Sequence, residues 1–245
     1  MKNFLILIFS LVYAGAEAQD FDYLPAPVDE HQIIAYSQFT LSYNNEHEQA
    51  DWVAYELTKE EVQMDQERCN CFKIDSRVNM ASATANDYRS SGFDRGHLSP
   101  SADNNLSEAA NEESYLFSNI SPQLSRFNSG IWANLEEWLR DQAIASDTLY
   151  VVTGPGFINN LGSIGNNEVT IPAYFYKILL KFEEDRPKTI AFLLPHIGST
   201  GNFQDYQVQV NSIESLTGID FFPNLNNSIE NRVEAQMGKS SWDLN

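Results

Sequence analysis

The sequence predicts an α+β fold, a mixed and mainly antiparallel sheet with flanking helices. Three observations carry that class. Strand signals dominate the second half, helical spacing is concentrated in the middle, and the two do not alternate as βαβ units would. No internal repeat or low-complexity tract is present. The 245 residues suit one large domain, and 42% hydrophobic residues exclude a disordered chain.

The first residues read Met1-Lys2-Asn3, then an apolar run from Phe4 to Val12, then Ala14-Gly15-Ala16-Glu17-Ala18. One lysine, a short apolar stretch and an Ala-x-Ala ending predict a signal peptide cleaved near Ala18. The run is too short to cross about 30 Å of hydrocarbon at about 1.5 Å per residue. No later stretch is long and apolar enough to span a membrane. The expected protein is therefore secreted or periplasmic, without a membrane partner.

Residues 19 to 50 are polar and acidic, carry Pro25 and Pro27, and read as an N-terminal arm. Trp52 to Leu57 reads as a strand, rich in aromatic and β-branched residues. Residues 76 to 92 read as a loop rich in Ser, Ala, Asn and Gly. A helix is expected over 107 to 117, with Ser107 as cap and Glu108, Glu112 and Glu113 in its first turns. A second helix is expected from about Ser129 to Ala145, with Ile131, Leu135, Trp138 and Leu139 at helical spacing. Strands follow at Thr148 to Thr153, Ala173 to Phe182 and Thr189 to Leu194, the last ended by Pro195. A short helix over Val210 to Leu216 is closed by Gly218.

Charge and cysteines limit the function. Asp plus Glu total 34 against 15 Lys plus Arg, a net charge of −19. This excludes a protein that holds nucleic acid by bulk positive charge. A local cluster of arginines remains compatible with that balance, and weak, salt-sensitive binding is then expected. Cys69 and Cys71 have one residue between them, a loop that disfavours an unstrained disulfide, whereas export favours oxidation. A bonded pair, two free thiols and links to another chain all remain open. No Cys or His at matching spacing makes a zinc site there.

The sharpest local string is Ser91-Gly92-Phe93-Asp94-Arg95-Gly96-His97-Leu98-Ser99-Pro100. Hydrolysing a phosphodiester requires a group that takes a proton from water, and histidine does so near neutral pH. It also requires positive charge on the non-bridging oxygens, and Arg95 offers a bidentate fork. A second constellation runs from Asn119 and Gln123 through Asn128 to Trp132, Glu136 and Arg140, the last three at steps of four. On a helix such neighbours share a face. An Asn oxygen at the start of a helix can bind a hard cation such as Mg²⁺, and Glu136 could bind one of the ion's waters. The same residues also read as ordinary structure: Asn128 as an N-cap, Glu136 with Arg140 as a surface ion pair. His31 and His47, in acidic and loop-like surroundings, are expected to be solvated. His196 follows Pro195 at a strand end.

Taken together, these strings resemble the DNA/RNA non-specific endonuclease family. The resemblance rests on Trp52-Val53-Ala54-Tyr55, Asp94-Arg95-Gly96-His97, Asn119-x-x-Pro122-Gln123, Asn128-x-Gly130-x-Trp132, Leu135-Glu136 and Thr153-Gly154-Pro155. Ile171-Pro172 and Ile213-Glu214-x-x-Thr217-Gly218-x-x-Phe221-Phe222 continue it in family order, over about residues 50 to 225. It implies a ββα-metal catalytic core and hydrolysis of DNA and RNA without strong sequence preference, leaving 5′-phosphate ends. It also implies that His97 is the general base, Asn128 the direct protein ligand of one Mg²⁺ or Mn²⁺, and Glu136 the holder of the ion's water. Arg95 and Arg68 would support the phosphate, and Asn119, Gln123 and Arg140 match further substrate-binding positions. The Cys69/Cys71 pair beside Arg68 departs from the family's pattern. The expected organisation is a leader over 1–18, an arm over 19–50, a nuclease domain over 51–225 and an extension over 226–245. The alternatives are an inactive nucleic-acid-binding protein of the same fold and a hydrolase of another phosphodiester.

Overall fold

The computed structural model describes residues 21–80, 82–198, 201–238 and 241–244. The leader expected over residues 1–18 lies outside them.

A seven-stranded sheet divides the molecule into layers. Its strands are β1 (Gln32–Ala35), β2 (Thr40–Asn44), β3 (Gln49–Thr58), β6 (Thr148–Gly156), β9 (Tyr174–Glu183), β10 (Arg186–Pro195) and β11 (Gln207–Val208), adjacent in that order. Every pairing is antiparallel. Strands β4 (Asp94–His97) and β5 (Ile120–Gln123) form a separate pair, as do β7 (Ser163–Ile164) and β8 (Val169–Thr170). The mixed, mainly antiparallel α+β expectation holds.

Period-two alternation explains how one sheet serves two cores. Val53, Tyr55, Leu57, Phe175 and Leu179 join one cluster, with Leu135, Trp138 and Leu139 of the long helix α4 (Ala133–Ser146). Trp52, Ala54, Tyr176, Ile178 and Leu180 join the other. There they meet Val210 and Ile213 of α5 (Val210–Thr217) and Val233 of α6 (Asn227–Glu234). Lys177 breaks the pattern: it follows the parity of Phe175 and Leu179 and is fully buried.

The smaller helices are α1 (Lys59–Gln63), α2 (Ala85–Tyr88) and α3 (Glu108–Ser114). Thr58 and Glu61 cap α1 reciprocally, and Ser107 caps α3 by accepting the Ala110 N–H, as expected. Gly218 closes α5 with φ of 73°, the left-handed conformation glycine tolerates.

Several expectations need correction. The stretch read as an arm contributes β1 and β2 to the main sheet; these strands are short, and β2 buries Ser42 and Asn44 beside its apolar residues, which hides the alternation. The loop over 76 to 92 contains α2. The second long helix begins at Ala133, after a wide turn over Phe127–Trp132 that kinks at Gly130. Asn128 is therefore not its N-cap. Cys69 and Cys71 are bonded, with their Cα atoms 5.1 Å apart, inside the usual range. Asn70 between them takes φ of 48°, which draws the two Cα atoms together.

Candidate functional site

The ββα unit is built from β4, β5 and α4. In β4–β5, Gly96 sits opposite Ser121 and His97 opposite Ile120. A Cβ at position 96 would lie 2.2 Å from the Gln123 side chain, so only glycine lets β5 fold across here. Gln123 is itself fully buried. It does not line the cavity described below but packs over Gly96, and among the described residues its Nε2 and Oε1 have no hydrogen-bond partner.

Asn119 likewise lies outside the cavity lining. It is fully buried; its Oδ1 accepts the Ser99 N–H at 2.9 Å, and its Nδ2 donates to the Ser99 and Ser114 carbonyls. The Leu98 N–H bonds to its carbonyl. Asn119 thus fixes the chain just beyond His97.

A cavity of about 650 Å³ opens in front of β4 and is lined by Arg68, Arg95, His97, Asn128, Glu136 and Arg140 among others. The six remaining expected site residues therefore converge. His97 packs edge-on against Tyr115, ring centroids 4.8 Å apart, and among the described residues its buried Nε2 has no hydrogen-bond partner. Burial first, then the Arg68 and Arg95 guanidiniums, push its pKa down to about 3, so the ring is neutral. Arg95 lies over the Phe72 ring at 4.0 Å, and Arg68 Nε donates to the Tyr115 hydroxyl at 3.4 Å.

On the facing wall, Asn128 Nδ2 donates to Asp94 Oδ2 at 3.2 Å, and Asp94 also accepts from Ser125 Oγ at 2.6 Å. Among the described residues Asn128 Oδ1 accepts no hydrogen bond. Glu136 Oε1 lies 3.8 Å from Lys177 Nζ, which sits over the Trp132 ring at 4.5 Å. Burial pushes the Glu136 carboxyl up and the Lys177 ammonium down, and each charge opposes the other's shift. Arg140 pairs with Asp103 at 3.0 Å, not with Glu136, and Asp103 also accepts the Tyr55 hydroxyl.

Among the described residues no cluster of three or more His, Cys, Asp or Glu could hold a metal. A hard cation that keeps most of its water needs only one or two protein oxygens. The free Oδ1 of Asn128, with Glu136 on the same cavity, fits Mg²⁺ or Mn²⁺ in that mode.

A second cavity of about 530 Å³ shares Phe72, Arg95 and Asn128 with the first and adds Tyr88, Arg89 and Phe93. Arg68, Arg89 and Arg95 form no ion pair among the described residues. The acidic chain thus keeps local positive charge where the two cavities join.

Sequence reasoning missed Phe72, Tyr115, Asp94 and Lys177. Lys177 carried a signal, a charge at a core-facing position of an apolar strand. Asp94 stands inside the quoted string but reads as a neighbour of the base until Asn128 is seen to lean on it. The other histidines lie elsewhere. His196 is buried, accepting the Leu124 N–H at Nε2 and bonding the Pro172 carbonyl through Nδ1. His31 pairs with Asp51, and His47 contacts Thr170 Oγ1 while stacking on Phe157. Both are partly exposed, and each also holds one of these partners.

A neutral histidine beside two guanidiniums that form no ion pair among the described residues, on a ββα unit that also presents an amide oxygen, is the arrangement of a phosphodiester hydrolase. The chain belongs to the DNA/RNA non-specific endonuclease family, whose sequence profile matches residues 17–228. It is therefore a nuclease. It is 30% identical over 220 residues to a nuclease of Nostoc sp., covering 85% of this chain and 79% of that protein. It is 30% identical over 209 residues to human mitochondrial endonuclease G, covering 79% and 70%. Among solved structures it resembles EndoG in its complex with the inhibitor EndoGI, with TM-score 0.74 and 28% identity over 80% of this chain and 87% of that one.

Proposed function

We propose that the chain is an exported, metal-dependent endonuclease that hydrolyses DNA and RNA without strong sequence preference, leaving 5′-phosphate and 3′-hydroxyl ends. The observation that carries this reading is the single cavity in which His97, Arg95, Arg68, Asn128 and Glu136 meet.

His97 takes the proton from an attacking water. A pKa of about 3 makes a weak base, but that value belongs to a site without substrate. A phosphodiester brings negative charge against Arg68 and Arg95 and offsets the two charges that disfavour the imidazolium. The base therefore strengthens when the substrate binds. Arg95, held flat on Phe72, and Arg68, held by Tyr115, meet the non-bridging oxygens. Mg²⁺ or Mn²⁺ held by Asn128 Oδ1 would supply Lewis-acid stabilisation of the phosphate and the leaving 3′ oxygen. Asp94 orients Asn128 for that purpose, and Lys177 opposes the upward shift that burial imposes on the Glu136 carboxyl at the cavity wall.

These contacts reach phosphate, which carries no base sequence. Breadth of substrate follows. The adjoining cavity with Arg89 and Phe93 offers a flanking phosphate and base their own surfaces, which favours a polymer over a small diester. Export is supported by the leader-like first residues and by the closed Cys69–Cys71 bond, which suits an oxidising compartment.

The test uses supercoiled plasmid, with Mg²⁺ and with EDTA. Nicking is expected with Mg²⁺, is lost with EDTA, and falls by roughly 10²–10⁴-fold in His97→Ala. Cutting that survives chelation would overturn the metal role. A plasmid left intact across several divalent metals would overturn the nuclease mechanism.

A further inference from the structure

We propose that the Cys69–Cys71 disulfide is a positioning group of the nuclease site, a clip that holds three cavity-lining side chains and whose opening by a dithiol slows hydrolysis. This rests on the reading of the cavity as the site of cleavage.

Residues 64 to 72 adopt neither helix nor strand, yet they supply Arg68, Asn70 and Phe72 to the cavity. Every second residue faces it, and the two residues between them are the bonded cysteines. In an extended run, positions two apart are separated by about 6.6 Å, at about 3.3 Å per residue. Here the Cα atoms are 5.1 Å apart, and Asn70 bends the chain with φ of 48°. Asparagine accepts that left-handed conformation better than most residues. The bend and the bond are one feature. Among the described residues the backbone of 65 to 72 has only one other tether, the Cys69 N–H to Asn111 Oδ1 at 3.2 Å.

What the clip holds touches the reacting groups. Phe72 carries the Arg95 guanidinium at 4.0 Å and stands 5.5 Å from the His97 ring, centroid to centroid. Arg68 bonds to Tyr115, which packs on His97. A shift of this segment therefore reaches both the base and the phosphate fork. A misplacement near 1 Å in such a site costs up to about a hundredfold in rate.

Both cysteines are half-buried, so a dithiol in solution can reach them. Its thiolate attacks one sulfur, forming a mixed disulfide and releasing the other cysteine as thiolate. The second thiol then closes on the mixed disulfide. The dithiol leaves as a cyclic disulfide, and its two protons and two electrons end on Cys69 and Cys71.

The experiment compares the oxidised protein, the same protein reduced with dithiothreitol, and the Cys69→Ser/Cys71→Ser double variant. Circular dichroism confirms that each is folded at the assay temperature. Reduction is expected to lower kcat/KM by roughly 10- to 100-fold. Reoxidation should restore it, and the double variant should match the reduced enzyme and ignore dithiothreitol. In an Arg68→Ala/Phe72→Ala background reduction should change little more, whereas a purely stabilising bond would lower Tm and leave the rate alone. An oxidised enzyme that cuts equally fast when reduced overturns the clip alone. An oxidised enzyme that leaves DNA intact overturns the nuclease reading and the clip with it.

Discussion

The cavity around His97 and the smaller one around His31 and His47 are both lined by histidines, and they are built in opposite ways. In the smaller cavity, of about 240 Å³, His31 is paired with Asp51 and His47 with Thr170. In the larger one, among the described residues, His97 Nε2 is buried with no hydrogen-bond partner, while Arg68 and Arg95 make no ion pair. Burying a polar atom without a partner costs about 1–3 kcal/mol. A fold tolerates that cost where an incoming ligand supplies the missing partner. The difference between the two cavities is the carboxylate beside His31 and the unpaired guanidiniums beside His97.

The contrast is broken most directly by substitution. His97→Ala is expected to lower the plasmid-nicking rate by roughly 10²–10⁴-fold. His47→Ala should keep the wild-type rate and lower the melting temperature instead. Equal losses of rate in the two variants would end the distinction.

A pH profile sharpens it. Burial and two guanidiniums hold the free enzyme's His97 near a pKa of about 3, and a bound phosphate offsets the guanidiniums. The profile of kcat/KM reports the free enzyme and that of kcat the complex. The acid limb of kcat should therefore lie at higher pH than that of kcat/KM on an oligonucleotide. Coincident limbs would show that the arginines do not set the histidine's charge.

The smallest effect tests the same cost away from both cavities. Burial first, then Glu214, Glu230 and Asp220, push the Glu234 carboxyl from 4.5 up to about 8. Between those values the folded chain binds a proton the unfolded chain has released. Its stabilising contribution is complete below about 4.5 and is lost as pH rises through about 8. Thermal melts should show Tm falling over that interval in wild type and less steeply in Glu234→Gln. Parallel curves would remove Glu234 from the account.

Much of this architecture was legible in the sequence. Steps of four put Glu136 and Arg140 on one cavity wall, because α4 is regular there. The Asp94-Arg95-Gly96-His97 string located the base, because a short strand and its glycine are local features. Asn119 and Gln123 misled because a motif string does not show which way a side chain points. Asn119 immediately precedes β5 and Gln123 ends it, and both, like all four β5 residues, are buried. The strands β1 and β2 were illegible because four or five residues leave little alternation to read. The partners of His31 and His47 are 20 and 123 residues away, beyond any local pattern.

The last residues, without counterpart in the family's strings, bear on the sheet's outer margin. Strand β10 runs for ten residues, but β11 pairs with it only at Ala191 and Phe192. The Trp242 indole donates to the Thr189 carbonyl, Thr189 Oγ1 donates to the Val233 carbonyl, and Pro187 and Pro195 have no N–H to offer. Four-residue β1 closes the opposite margin. A long bare margin invites a second copy to add its own strand and begin an aggregate. Here the described part of the tail covers that margin around Thr189, which leaves less of it open to such an added strand.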